Sequence, residues 1–169
     1  MELEDDMPPE YHDYLQRANH ARGWVINYTI LLERIMDDFM AIAFSDTQEK
    51  KIDLLETLIS EGMSYNSKVN VVLRLVKRHL PDDKQREIRF PGLRKNLQDI
   101  AAERNKFAHE LLYINLSIEQ FKKFEICLVS FKNLDKVECF VLRDITGIVE
   151  RIQKYIDILD ELRREFWQQ

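Results

Sequence analysis

Apolar positions recur at helical spacing along most of this chain. Between Tyr11 and Phe44, the residues Tyr28, Leu31, Leu32, Ile35, Phe39, Ile42 and Ala43 share one face when successive side chains turn by about 100°, which predicts a long first helix. Gly23 lies inside it, but one glycine costs only about 1 kcal/mol against alanine and does not end a helix of this length. The run SDTQE predicts a stop and a restart, with Asp46 as N-cap and Glu49 completing a capping box, then a second helix to about Ser60. EGMSYNS has the composition of a turn, and Ser67 is placed to cap a third helix carrying Val69, Val72, Leu73 and Val76 that ends before Pro81. PDDKQREIRFPG, bracketed by prolines, predicts irregular chain, and from Gly92 a further helix runs to about Leu112.

The pattern then changes. FEICLVSF and VECFVL are short and rich in β-branched and aromatic residues, and KNLDK between them completes a β-hairpin signal over residues 124–142. Asp144 or Thr146 is placed to cap a last helix with Ile148, Ile152, Tyr155, Ile156, Leu159 and Leu162 on one face. The pattern predicts a mainly all-α protein with a small hairpin before its last helix. Residues 1–169 read as a single domain with one shared core, frayed over residues 1–10, with no repeat or inter-domain linker.

Composition supports that outline: 45% of the residues are hydrophobic and 33% charged, with only 4 Gly and 4 Pro. No apolar run approaches the roughly 18–20 residues a membrane span needs, and the acidic start MELEDDMPPE lacks the basic and apolar regions of a signal peptide. The expectation is a cytoplasmic protein with no membrane contact. Cys127 and Cys139 sit in the two strand-like runs and read as buried thiols, because one possible bridge makes no disulfide framework. Neither has a Cys or His at ligand spacing, and His12, His20 and His79 are scattered, so no metal site or cofactor is expected. The net charge of −5 is unevenly spread: residues 68–106 hold eleven Lys/Arg against five acids. That basic stretch suits either a phosphate-bearing partner or a solvated face.

The candidate chemistry lies in RNKFAHE, Arg104 to Glu110. Leu97, Ile100, Ala101, Phe107, Ala108 and Leu111 form one stripe, with Arg104 in its middle. A guanidinium there needs a buried acidic partner or borders a groove, because an unpaired buried charge is very costly. Glu33, Asp37 and Asp38 are possible partners, and the sequence does not choose among them or against a mainly solvated role. Asn105 and His109, four residues apart, lie one turn from each other, so the amide can orient the imidazole. Arg104 points about 140° from His109 on a helix, but its long stem reaches the same cleft edge, where a phosphate can sit. Such a set suits RNA cleavage by the ribose 2′-hydroxyl, which needs proton transfer and stabilised phosphoryl charge but no metal. A purely structural trio on a charged helix is the alternative.

RNKFAH resembles the R-N-x-x-A-H signature of the HEPN superfamily, with Asn105 at the polar position and four residues between Arg104 and His109. The order of elements is also similar: a long amphipathic first helix, a SYNSKV turn into a third helix, the motif helix, a hairpin and a closing helix. The resemblance implies an up-and-down helical bundle that forms a homodimer through the motif helix and cuts RNA in one composite cleft. Many such proteins resemble toxins paired with an antitoxin protein, or act in phage defence. By position, the resemblance implies His109 as acid/base residue, Arg104 as phosphate contact and Asn105 as orienting residue. Lys106 beside the motif and Lys68 after the SYNS turn are candidate contacts to RNA backbone, set against ordinary surface lysines. A dimer would also let Arg104 face a symmetry-related groove. Some relatives, including the mannitol-operon repressor family, use the fold as a binding or regulatory module, the alternative to an enzyme.

Overall fold

The computed structural model describes residues 8–59, 62–87 and 90–167. The protein is mainly α-helical with a small three-stranded antiparallel sheet. In chain order the elements are α1 (Pro9–Phe44), α2 (Gln48–Leu54) running into a π-helical turn (Leu55–Ile59), α3 (Tyr65–His79), α4 (Asp82–Glu87) and α5 (Phe90–His109). There follow β1 (Leu111–Leu112), α6 (Ile118–Lys123), β2 (Ile126–Ser130), β3 (Asn133–Phe140) and α7 (Leu142–Trp167). Among the described residues no helix is long and apolar enough to cross a membrane.

The chain gathers into two compact units, each with its own buried residues. The first holds the chain up to Tyr28 together with Glu103–Arg151, and the second holds Thr29–Ala102 and the chain from Ile152 onward.

In the first unit the sheet order is β1-β2-β3. Its central strand buries Ile126, Cys127, Leu128 and Val129, so both of its faces are covered, which is why ICLV reads as a continuous apolar run rather than an alternation. Tyr14, Ala18, Ala21 and Val25 form the buried stripe of α1 in this unit. The Tyr14 hydroxyl accepts from the Cys127 amide at 2.9 Å and donates to the Tyr113 carbonyl at 3.0 Å, satisfying a buried polar group on the sheet. Burial of the ring raises the Tyr14 pKa, and the Cys127 amide opposes that rise. Arg17 donates to the carbonyls of Phe121 and Phe124 at 2.5 and 2.9 Å, holding the last carbonyls of α6.

The second unit buries Leu32, Met36, Phe39 and Met40 of α1 with Val69, Val72 and Val76 of α3 and Leu93, Leu97 and Ile100 of α5. From α7 it adds Ile152, Ile156, Leu159 and Leu162. Lys68 lies inside the α3 stripe, only 1% exposed, and Asp37 is 7% exposed. The ammonium donates to Glu33 Oε1 at 2.8 Å and to Asp37 Oδ2 at 3.0 Å. Burial pulls the Lys68 pKa down, but the hydrogen bonds and charges of the two carboxylates outweigh it and hold it above the ordinary lysine value.

Several expected boundaries are corrected. Thr47, not Asp46, caps α2 by accepting from the Lys50 amide at 3.3 Å, while Asp46 pairs with the Lys50 ammonium at 2.7 Å. Ser64, not Ser67, caps α3, because its hydroxyl reaches the Ser67 amide at 3.3 Å. The polar stretch after Pro81 forms α4, and α5 starts at Phe90 rather than Gly92. The motif helix stops at His109 instead of Leu112, because Leu111 and Leu112 pair with Val129 and Leu128 in the sheet. The expected hairpin is present, but its loop is Phe131–Lys132 and Asn133–Lys136 belong to β3. α7 begins at Leu142, where Asp144 accepts from the Val141 amide at 3.0 Å. Of the terminal stretch expected to fray, residues 1–7 lie outside the described residues, while α1 begins at Pro9 and Glu10 pairs with Lys122 at 3.3 Å.

Cys127 and Cys139, expected as separate thiols, form a disulfide. They are directly opposed on β2 and β3. Because the Cys127 amide and carbonyl bond to Tyr14 and Tyr113, this is a non-hydrogen-bonded pair, the kind that brings side chains closest. Proximity of this sort needs strand register, which cysteine spacing does not supply.

Candidate active site

The candidate residues occupy the last two turns of α5, all within the first unit. One face of these turns is docked. Phe107 is fully buried against the Phe140 ring, with centroids 5.2 Å apart. Glu103 pairs with Arg151 of α7, and Lys106 donates to Glu138 Oε2 at 2.6 Å with its ammonium 5.6 Å from the Phe140 ring centre. Arg22 of α1 donates to the Glu110 carbonyl at 2.9 Å, fixing the chain just past His109.

Positions 103, 106, 107 and 110 therefore face inward at three- and four-residue spacing, which turns 104, 105, 108 and 109 to the other side. Asn105 and His109 are exposed, and Arg104 and Ala108 are half-buried. The Arg104 guanidinium donates to Asn105 Oδ1 at 3.1 Å and has no carboxylate partner among the described residues. Glu33 and Asp37, proposed by the sequence as partners for Arg104, instead hold Lys68, and Asp38 pairs with Lys51 at 3.5 Å and Arg163 at 3.0 Å. The amide expected to orient His109 is turned to Arg104, and His109 makes no hydrogen bond with a described residue.

Both candidate lysines are ion-paired. Lys68 is enclosed by its carboxylates, so its charge is not available to a phosphate outside. Lys106 is half-buried and neutralised by Glu138. Arg22 was missed by sequence reasoning: nothing in HARG marks it, and only the return of the chain at Glu110 brings it beside the motif.

Beside the docked face, a hollow of about 410 Å³ is lined by Glu103, Glu138 and Asp144 with Arg151. Its carboxylates disfavour a phosphate there, whereas the open face presents a guanidinium and an imidazole. Among the described residues no cluster of three His, Cys, Asp or Glu is arranged to hold a metal ion. A guanidinium held by an amide can bind a phosphodiester, and an exposed imidazole on the same helix end can transfer protons to and from oxygens beside it.

Fold and site together define a mainly α-helical protein bearing an Arg-Asn-His set on the free face of a helix end. No family model, curated protein or solved structure matches the chain, so its functional reading rests on its own residues.

Proposed function

We propose that this chain is a metal-independent endoribonuclease of HEPN type, working as a homodimer with an up-and-down helical bundle as its scaffold. The observation that carries the reading is the Arg104 guanidinium: half-buried, held by Asn105, and without a carboxylate partner among the described residues. Such a cation is a site for an anion, and the exposed His109 on the same open face supplies proton transfer.

In the proposed reaction the ribose 2′-oxygen attacks the adjacent phosphorus as the bond from phosphorus to the 5′-oxygen breaks. The products are a 2′,3′-cyclic phosphate and a 5′-hydroxyl. One imidazole takes the 2′-hydroxyl proton and a second gives a proton to the leaving 5′-oxygen. Arg104 stabilises the extra charge on the phosphoryl oxygens. One chain brings one motif histidine, so the second His109 comes from a second copy placed across a twofold axis. Leu111 and Ile114, exposed just after the motif, support such a contact. The setting proposed is cytoplasmic, in a toxin–antitoxin pair with an antitoxin protein or in phage defence.

A second reading, a non-catalytic HEPN-fold binding or regulatory module, is favoured by one observation: Asn105 engages Arg104 and leaves the His109 tautomer without a partner to set it. RNA incubated with the protein and with His109→Ala, both in EDTA, separates the two. Cleavage with cyclic phosphate ends by the first alone supports the enzyme; no cleavage by either, with equal growth of cells expressing them, supports the module. Sedimentation of a strict monomer at micromolar concentration removes the shared cleft.

A further inference from the structure

The basic stretch noted in the sequence forms a feature that the Arg104 site does not use. In the second unit, Leu73, Arg74 and Lys77 of α3 and Phe90 and Arg94 of α5 line a cavity of about 380 Å³. That volume falls in the range of small-ligand pockets, roughly 300–1,000 Å³, and suits one nucleotide. Its apolar surface is Leu73, buried, and Phe90, half-buried; its rim is three exposed cations.

Among the described residues no carboxylate lines the cavity, and Arg74 and Lys77 form no ion pair with any of them. Arg94 donates to the neutral Asn70 Oδ1 at 2.5 Å, which positions its guanidinium against α3 without cancelling its charge. Several other cations are matched by carboxylates, among them Lys50 with Asp46, Lys51 with Asp38 and Lys122 with Glu10. In a chain of net charge −5, the described rim of this cavity carries positive charge only. Gathering like charges around an aromatic floor raises local potential for an anion that also carries a flat apolar group.

We infer that this cavity binds one nucleotide of single-stranded RNA, with a base on Phe90 and the flanking phosphates on Arg74, Lys77 and Arg94. A free phosphate has no use for the apolar floor, and a duplex keeps its bases stacked inside, away from a cavity of this kind. The choice of RNA over other single strands rests on the ribonuclease reading; the nucleotide-binding chemistry does not.

The test uses the full chain carrying His109→Ala, so that RNA survives, with a fluorescein-labelled RNA of about twelve nucleotides followed by anisotropy at several salt concentrations. Arg74→Gln/Lys77→Gln/Arg94→Gln is expected to weaken binding at least tenfold and to flatten the log–log salt dependence by about 2, since each phosphate contact to a single strand contributes about 0.7. Phe90→Leu, which keeps an apolar side chain but removes the ring face, is expected to weaken binding about tenfold with the salt slope unchanged. Circular dichroism checks that both variants fold. Binding by the triple variant within twofold of its parent, with the same slope, overturns the inference. So does equal displacement of the RNA by inorganic phosphate, or equal affinity for a duplex of the same length. If binding follows expectation while the chain with His109 intact cuts no RNA, the cavity stands and the ribonuclease reading fails. Intact cleavage with unchanged KM in the triple variant gives the opposite result.

Discussion

Replacing Lys68 with methionine removes the only cation in contact with Asp37 among the described residues, and the structure sets the size of the effect. The Lys68 side chain is 2% exposed, that of Asp37 10% and that of Glu33 33%. Glu33 is wet enough to be hydrated once the ammonium is gone, so it contributes little to the loss. Asp37 is not, and breaking a buried pair by removing one partner costs about 3–5 kcal/mol. We expect the lower end, about 3 kcal/mol, because Asp37 has an escape: burial already raises its pKa, against the lowering effect of Lys68, and without Lys68 it rises further. A raised carboxyl pKa in the folded state favours folding below the unfolded value near 3.8 and loses that contribution as pH climbs through the folded value. Lys68→Met is therefore close to wild type at pH 4 and fully destabilised at pH 7. Urea unfolding followed by circular dichroism at both pH values measures the difference. A loss of about 3 kcal/mol lowers Tm by roughly 6–12 °C in a chain of this size. Lys68→Met/Asp37→Leu, which removes both charges at similar volume, returns to within about 1 kcal/mol of wild type. A single-variant loss below about 1 kcal/mol at pH 7, or a double variant worse than the single, refutes this account of the buried pair.

The Tyr65 hydroxyl is buried without a hydrogen bond to a described residue, so Tyr65→Phe is expected to gain about 1 kcal/mol in denaturant unfolding at pH 7. Burial raises the Tyr65 pKa, so wild type loses stability as pH rises above the ordinary tyrosine value of 10.0, and the phenylalanine variant loses less. Reducing the bond between Cys127 and Cys139 frees a loop spanning 12 residues and is expected to lower stability by about 2–3 kcal/mol, measured by urea unfolding with and without dithiothreitol. Mass spectrometry after alkylation without reductant should find neither cysteine labelled. On the ribonuclease reading, His109→Ala lowers kcat by about 10²–10⁴ and Arg104→Ala by about 10²–10³. Asn105→Ala, losing one charge-assisted hydrogen bond of about 1.5 kcal/mol to Arg104, lowers kcat/KM about tenfold, and an unchanged value excludes its holding role.

Helical periodicity alone determined the mainly α-helical class and the approximate places of α1, α3, α5 and α7, because an amphipathic stripe repeats locally and is readable wherever one face is buried. It also located Arg104, Asn105 and His109 on a helix and marked Arg104 as a charge within an apolar stripe. What surrounds those residues depended on contacts distant in sequence. His109 ends α5 because β2 captures Leu111 and Leu112, and Lys68 is buried because Glu33 and Asp37 of α1 face it. Cys127 meets Cys139 because strand register opposes them, while Asn105 turns to Arg104 through a choice of rotamer. Periodicity reports which face a side chain occupies, but pairing between charges, thiols and strand edges is decided by distances in space, and those exist only once the chain has folded.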